Sequence, residues 1–178
     1  MDTAILLWIQ ENLHNPFTDW FFPAVTFLGD KGLIWLVIAV LLLISRKYRK
    51  WGVTMLCAML LTAIAGEILL KEVIGRLRPF HHFPELDLLI EAPSSFSFPS
   101  GHTASSFAAA VVLLKCRRSF GIPALILAFC IAFSRLFLFV HYPSDVLCGA
   151  ILGVLMALLT CFLFRKFWNL QSPSRLRR

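Results

Sequence analysis

The sequence predicts an all-α, polytopic membrane protein, in which a bundle of about five transmembrane helices follows an N-terminal interfacial helix. The chain has 178 residues, of which 58% are hydrophobic, and its mean hydropathy is +0.77. A soluble domain of this length needs far more polar surface. The apolar residues also form long stretches, and a membrane span needs about 20 of them. We expect one compact membrane-embedded domain over residues 1–178.

The boundaries of the spans follow from the apolar stretches and from the charged clusters that separate them. Residues 4–13 place apolar side chains on one helical face, including Ile5, Trp8, Ile9 and Leu13, but are too short to cross a bilayer. A polar break at residues 29–32 leaves only about 12 apolar residues before it, roughly 18 Å of helix. Residues 1–30 are therefore expected to lie on the membrane or to re-enter it. The predicted spans are residues 31–45, 51–74, 101–115, 122–140 and 143–164.

The basic residues predict the orientation of these spans. Three clusters hold twelve of the seventeen Lys and Arg residues and contain no acid: Arg46, Lys47, Arg49 and Lys50; Lys115, Arg117 and Arg118; Arg165, Lys166, Arg175, Arg177 and Arg178. Each follows an apolar stretch, as expected for cytoplasmic loops under the positive-inside rule. Nucleic-acid binding would instead favour basic stretches interleaved with exposed aromatic residues. We therefore expect residues 165–178 to be a basic cytoplasmic tail and the N-terminus to lie outside.

This orientation brings two polar segments to the outer face of the membrane. The long loop over residues 75–99 and the short turn at 141–144 both fall there, and all ten acidic residues lie on or near the same face.

The five cysteines are odd in number and form no CxxC pair, so we expect neither a disulfide framework nor a thiolate metal site. No removable signal peptide is expected at the N-terminus.

Polar residues cluster where three apolar helices end at this face. Lys71, Arg78 and Arg135 supply three cations, and arginine forks match the oxygens of a phosphate group. Ser100 and Gly101 open a predicted helix, whose free N–H groups attract anions. Each of these residues taken alone could have a purely structural role. Lys71 could pair with Glu67 inside the bilayer, and Arg135 could snorkel to the surface. Together, however, so many ionisable groups in apolar helices indicate a functional site.

Two histidines and a carboxylate add reactive groups to these cations. His102 and His141 can act as a nucleophile and a proton donor near neutral pH. Asp145 follows His141 by four residues, close enough to orient its ring.

The three motifs in order are Lys71 with Arg78-Pro79, then Pro99-Ser100-Gly101-His102, then Ser134-Arg135 with His141 and Asp145. In type and spacing they resemble the motifs of the type 2 phosphatidic acid phosphatase superfamily of membrane lipid phosphatases. The resemblance covers residues 71–145, and every defining position is occupied by the expected residue.

The resemblance implies a role for each of these residues. His141 would attack phosphorus to form a phosphohistidine, Asp145 would orient it, and His102 would protonate the leaving oxygen and then activate water. The phosphoryl oxygens would be bound by Lys71, Arg78, Ser100, the Gly101 amide and Arg135. Neither a metal nor another cofactor is implied.

The resemblance also suggests the class of substrate. Short members of the family resemble bacterial undecaprenyl-diphosphate phosphatases and phosphatidylglycerophosphate phosphatases, which implies a bacterial plasma membrane and an extracytoplasmic active site. We expect conversion of undecaprenyl diphosphate to undecaprenyl phosphate. The alternatives are a phosphatidylglycerophosphate or phosphatidate phosphatase and a lipid phosphotransferase. Five loop residues could contact the headgroup or be solvated: His81, His82, Glu85, Asp87 and Glu91.

Two other classes of protein are less consistent with the motifs. A lipid or anion transporter would explain the three cations but not the histidines with Asp145, and no inverted repeat is evident. A catalytically silent structural protein would not need the intact motifs. The oligomeric state is not predicted.

Overall fold

The computed structural model describes residues 1–168, so residues 169–178 of the predicted basic tail lie outside the described residues. The described part contains helices and loops and no strand, which confirms the all-α prediction. The helices are α1 (Asp2–Asn12), α2 (Pro16–Gly29), α3 (Leu33–Ile44), α4 (Arg49–Ala63), α5 (Lys71–Ile74), α6 (Gly101–Cys116), α7 (Arg118–Phe137) and α8 (Pro143–Trp168). A π-helical stretch, Ile64–Leu70, joins α4 to α5 without a break.

Four segments are long and apolar enough to cross a membrane: Pro16–Ile44, Arg49–His82, Arg118–Phe137 and Pro143–Trp168. Three of them contain the predicted second, fourth and fifth spans almost completely. The predicted third span is α6, whose 16 residues extend about 24 Å, somewhat less than the hydrocarbon thickness of a bilayer.

Helix α2 covers most of the stretch that the sequence predicts to lie on the membrane or to re-enter it. With α3 it forms a 29-residue segment that is long and apolar enough to cross a membrane, with a kink at Asp30–Gly32. Asn15 and Thr18 form a capping box and Pro16 occupies the first turn, so α2 begins sharply. The polar break at residues 29–32 therefore lies at a kink between two helices, and the position of residues 1–30 relative to the membrane stays a prediction.

The predicted interfacial helix forms as α1 and lies over the turn between α7 and α8. Leu6 packs with Phe139 and Tyr142, and Ile9 packs with Phe137. Ile5 and Trp8, which belong to the predicted apolar face, are exposed on the protein. An exposed apolar face is compatible with an interfacial helix, whose apolar side chains contact lipid.

Helix α6 occupies the centre of the bundle and packs against α4, α7 and α8. Small residues allow this close approach, since a Cβ on Gly153 of α8 would overlap the Ala104 carbonyl oxygen and lie 2.9 Å from the Ala108 nitrogen. Trp35 of α3 donates a hydrogen bond of 2.9 Å to Ser106. These contacts fix the position of the first turn of α6 relative to its neighbours.

We predict that Gly153→Leu destabilises the bundle, because the new side chain has no space between α6 and α8. The apparent melting temperature in detergent should fall by about 5 °C or more, as expected for overpacking a close helix contact. The control is Leu155→Phe on the exposed side of the same helix, which should melt like the wild type. Equal melting temperatures for all three proteins would contradict the close packing described above.

Candidate active site

A cavity of about 1110 Å³ opens at the end of the bundle where α6 begins. It collects residues from four separate parts of the sequence. The sequence-predicted site residues that line it are Lys71, Arg78, Gly101, His102, Arg135 and His141. The other two, Ser100 and Asp145, are buried behind this surface. The structure therefore brings all three motifs together, as the topology predicted.

His141 lies on the turn between α7 and α8 and is 1% exposed. Its Nε2 atom is 3.1 Å from Nη1 of Arg78, which also donates a hydrogen bond of 2.9 Å to the Val140 carbonyl oxygen. Because a guanidinium can only donate, Nε2 is the acceptor and Nδ1 carries the ring proton. Burial lowers the pKa of His141 to about 3; the charges of Arg78 and Arg135 add to this and Asp145 opposes it. The ring is therefore neutral at pH 7, and its Nε2 lone pair points at the guanidinium of Arg78.

Asp145 lies behind the ring of His141 and is fully buried. One carboxylate oxygen is 3.7 Å from His141 Nδ1, longer than a hydrogen bond, and Ser97 lies beside both groups. Ser97 donates to this oxygen at 2.5 Å and the Tyr142 N–H at 2.9 Å. Catalytic hydrogen bonds are often long before substrate binds. Asp145 is thus held firmly in a position from which it can orient the imidazole.

Arg76, which the sequence analysis did not single out, holds the other oxygen of Asp145 at 2.6 Å. Its guanidinium also stacks on the ring of Tyr142, with its centre 3.9 Å from the ring centroid, and pairs with Asp2 of α1 at 3.2 Å. Ser144 donates a hydrogen bond to Asp2 and accepts one from Arg76. The only sequence signal for Arg76 was its position inside the first motif, and nothing marked Asp2 as its partner.

Ser95 connects Lys71 and Arg78. Lys71 donates to the Ser95 hydroxyl at 3.2 Å, and Arg78 donates to the same hydroxyl at 3.1 Å and to the Ser95 carbonyl oxygen at 2.7 Å. Lys71 also forms the suggested pair with Glu67, at 2.7 Å. Lys71 therefore pairs with Glu67 and lines the cavity at the same time. Ser95 links the loop that follows α5 to Lys71 and Arg78.

Arg135 projects from α7 and is 2% exposed. Its Nη1 donates to Thr26 of α2 at 2.6 Å, whereas its buried Nε has no hydrogen-bond partner within residues 1–168. A buried guanidinium N–H without a partner is costly. Such a group beside the cavity is well suited to bind an anion.

Two neighbouring residues at the start of α6 differ in their relation to the cavity, since Ser100 caps the helix and Gly101 lines the cavity. The hydroxyl of Ser100 accepts from the Thr103 N–H, so Ser100 caps the helix and does not line the cavity. Gly101 does line the cavity, and a side chain there would overlap the carboxylate of Glu67. The free N–H groups of the first turn thus lie close to the three cations.

The five loop residues separate in the structure. Glu91 lines the cavity, whereas the other four are exposed and are not part of its lining: His81, His82, Glu85 and Asp87.

Residues 1–168 contain no group of three or more His, Cys, Asp or Glu that could hold a metal ion. The described cavity combines three cations, a helix N-terminus, two imidazoles and their carboxylate neighbours, which is chemistry suited to a phosphate ester.

Comparisons with known proteins agree with this chemistry. A family model described as PAP2 superfamily matches residues 51–169. The undecaprenyl-diphosphatase of Sulfolobus acidocaldarius is 34% identical over 132 residues, which is 72% of this chain and 64% of that protein. This chain therefore matches slightly less than two thirds of that relative.

Two solved structures share the fold over nearly the whole chain. LpxE from Aquifex aeolicus has a TM-score of 0.80 and 26% identity, covering 90% of this chain and 94% of LpxE. The PAP2-type phosphatidylglycerolphosphate phosphatase from Bacillus subtilis has a TM-score of 0.77 and 28% identity, covering 96% of this chain and 87% of that protein. The family expected from the three motifs is confirmed, and the chain belongs to the PAP2 superfamily.

Proposed function

We propose that this protein is a lipid phosphatase in which His141 attacks the phosphorus atom of a membrane lipid phosphate. The observation that carries the proposal is the position of Nε2 of His141, 3.1 Å from Arg78, in a cavity that Lys71 and Arg135 also line. The three cations bind the phosphoryl oxygens, so the phosphorus atom lies within reach of the neutral imidazole.

The first step forms a bond between His141 Nε2 and phosphorus while the bond from phosphorus to the leaving oxygen breaks. His102 donates a proton to that oxygen, and the dephosphorylated lipid leaves. Asp145 accepts a hydrogen bond from Nδ1 of His141 and stabilises the positive charge that develops on the ring. The negative charge on the phosphoryl oxygens is stabilised by Arg78, Arg135 and the start of α6.

The second step releases phosphate from the phosphohistidine. His102, now neutral, accepts a proton from a water molecule as its oxygen attacks phosphorus, and the bond to Nε2 of His141 breaks. Both histidines return to their starting forms. In this proposal Lys71, Arg78 and Arg135 supply the positive charge, and Ser100 acts through the helix that it caps.

For the substrate, we propose a polyprenyl diphosphate, with undecaprenyl diphosphate as the specific candidate. The cavity continues from the cations along apolar side chains between α2–α3 and α4, among them Phe27, Leu36 and Met59. A lipid chain fits such a surface while its phosphate contacts the cations. Similarity to the Sulfolobus undecaprenyl-diphosphatase supports a polyprenyl diphosphate. Similarity to the Bacillus subtilis phosphatidylglycerolphosphate phosphatase supports phosphatidylglycerophosphate as the second candidate.

We further propose that the active site faces the outside of the plasma membrane and that the C-terminus is cytoplasmic. This orientation is supported by the basic residues at 46–50, 115–118 and 165–166, which lie at the opposite helix ends from the cavity, as expected under the positive-inside rule. Transport is a weaker proposal, because it gives no role to the neutral His141 beside Asp145.

We predict that His141→Ala lowers phosphate release from a lipid phosphate by at least about 10³-fold, because the nucleophile is lost. The matched control is His82→Ala in the exposed loop, which should retain wild-type turnover. Phosphate labelling of the wild-type enzyme should give an acid-labile phosphohistidine that the variant lacks. Near-normal turnover by a folded His141→Ala protein would rule out this nucleophile.

We predict that the enzyme works without a divalent metal, since three side-chain cations and a helix N-terminus supply the charge. Turnover after exhaustive treatment with EDTA should stay within about twofold of the untreated rate. Added Mg²⁺ should not raise it. Loss of activity in EDTA, with recovery on addition of Mg²⁺, would contradict the proposed charge distribution.

We predict that undecaprenyl diphosphate is hydrolysed with a higher kcat/KM than phosphatidylglycerophosphate or phosphatidate in the same detergent. The measurement is phosphate release by the purified protein for each lipid. It also separates an enzyme from a transporter, since transport needs two compartments. A preference for either glycerolipid would refute the polyprenyl assignment, and absence of release from all three would refute the phosphatase.

A further inference from the structure

Asp30 forms a contact with the second catalytic histidine that the three motifs do not include. Its carboxylate oxygen Oδ1 is 2.7 Å from Nε2 of His102, although the two residues are 72 positions apart. Asp30 lies at the kink between α2 and α3 and lines the cavity beside His102. The site therefore contains two histidine–carboxylate pairs, His102 with Asp30 and His141 with Asp145.

The backbone around Asp30 is shaped in a way that supports this contact. The two residues after it adopt left-handed conformations, with φ of 50° at Lys31 and 72° at Gly32. Such a φ is uncommon for a residue with a side chain such as Lys31. A Cβ on Gly29 would lie 3.0 Å from Cδ2 of His102 and 2.8 Å from Ile131. The kink therefore brings the chain close against the imidazole and leaves the carboxylate on its Nε2 side.

Electrostatics alone would not favour a carboxylate at this position. Asp30 lines a cavity whose three cations are arranged to bind an anion, so its negative charge opposes binding of a phosphate group. A carboxylate beside an imidazole, in contrast, stabilises the protonated ring and fixes its tautomer. The negative charge of Asp30 therefore weakens phosphate binding, and its benefit is the stabilisation of protonated His102.

We propose that Asp30 is the positioning residue for His102 and makes it an effective proton donor, an inference that rests on the phosphatase proposed above. Asp30 accepts a hydrogen bond from Nε2–H of His102, so that Nδ1–H faces the leaving oxygen. When the phosphorus–oxygen bond breaks, the Nδ1 proton passes to that oxygen and Asp30 stays ionised. The neutral ring then takes a proton from water in the second step, and Asp30 again stabilises the imidazolium.

The other charged groups around His102 act against its protonated form or lie farther along the cavity wall. Arg135 from α7 and Arg78 from beyond α5 both oppose a positive charge on the ring. The remaining charged residues of the lining are Lys31, Glu67, Lys71 and Glu91. Glu67 is engaged by Lys71. Asp30 is therefore the group in direct contact with His102 that favours the imidazolium.

The proposal predicts a dependence on the leaving group. When a lipid monophosphate reacts, the leaving group is the lipid alkoxide, which needs a proton as it leaves. When a lipid diphosphate reacts, the leaving group is the lipid monophosphate, which leaves more easily without one. Removing the Asp30 charge should therefore slow hydrolysis of a monophosphate more than hydrolysis of a diphosphate. Loss of a general structural contact would slow both equally.

The experiment compares Asp30→Asn, Asp30→Glu and the wild type on phosphatidate, a lipid monophosphate, and on undecaprenyl diphosphate. Asp30→Asn should lower kcat on the monophosphate by about 10-fold or more, consistent with weakened general acid catalysis. The loss on the diphosphate should be smaller, and KM should stay the same or fall. Asp30→Glu should recover part of kcat. Glu11→Gln, an equal charge change on the exposed side of α1, is the control and should behave like the wild type.

The pH profile gives a second readout. His102 must be protonated for the first step, so kcat/KM falls as pH rises through the pKa of this group. Without the carboxylate the imidazolium is less stable, and the alkaline limb of the profile should move to lower pH in Asp30→Asn. An unchanged limb together with unchanged kcat on both substrates would overturn the proposal.

A double variant separates a positioning role from a loss of stability. In a His102→Ala background, Asp30→Asn should have almost no additional effect, because the two residues act as a unit. An equal loss in both backgrounds would overturn the proposal even if Asp30→Asn is less stable. Failure of the proposed function would appear separately, as no phosphate release by the wild type or as normal turnover by His141→Ala, whereas normal turnover by Asp30→Asn alone would overturn only this inference.

Discussion

The hydrogen bond from Arg78 to Nε2 of His141 is the interaction on which the site depends. It joins the end of the α4–α5 segment to the turn between α7 and α8, and it sets which ring nitrogen carries the lone pair. Its position depends in turn on α6, because the small residues along α8 let that central helix pack closely. A looser contact between α6 and α8 would separate the motifs and expose His141 to water, where its ring would no longer be held neutral by burial.

The electrostatic balance of the cavity favours an anion of several oxygens. Arg135 has a buried N–H without a partner in the described chain, whereas Lys71 and Arg78 share a serine that leaves part of their charge uncompensated. Glu67 neutralises only one of the three cations. A phosphate group satisfies all of these donors at once in surroundings of low dielectric constant, where each contact is stronger than in water.

The sequence predicted most of the fold and the members of the three motifs, since apolar stretches and cations at helix ends are local signals. It did not predict the kink before Leu33, because the polar break there has the composition of a loop. It assigned Ser100 to the phosphate, which stays a prediction, but did not predict that the Ser100 hydroxyl caps α6. Arg76 was missed for a similar reason, since its role depends on a contact with Asp145 that no local pattern encodes.

Asp2 and Asp30, which no local sequence pattern marks, both lie in the N-terminal part of the chain and both contact residues of the site. Asp2 pairs with the guanidinium of Arg76 behind Asp145, and Asp30 contacts His102 directly. Both carboxylates come from α1 and the α2–α3 kink, before residue 51, where the match to the family model begins. In the proposed mechanism, the helices that carry the motifs supply the groups for phosphate chemistry, and the N-terminal carboxylates contact those groups or their neighbours. Because these carboxylates stand beside a site for an anion, their positions must be fixed by packing, which explains why α1 covers the α7–α8 turn and why Gly29 lies tightly against His102.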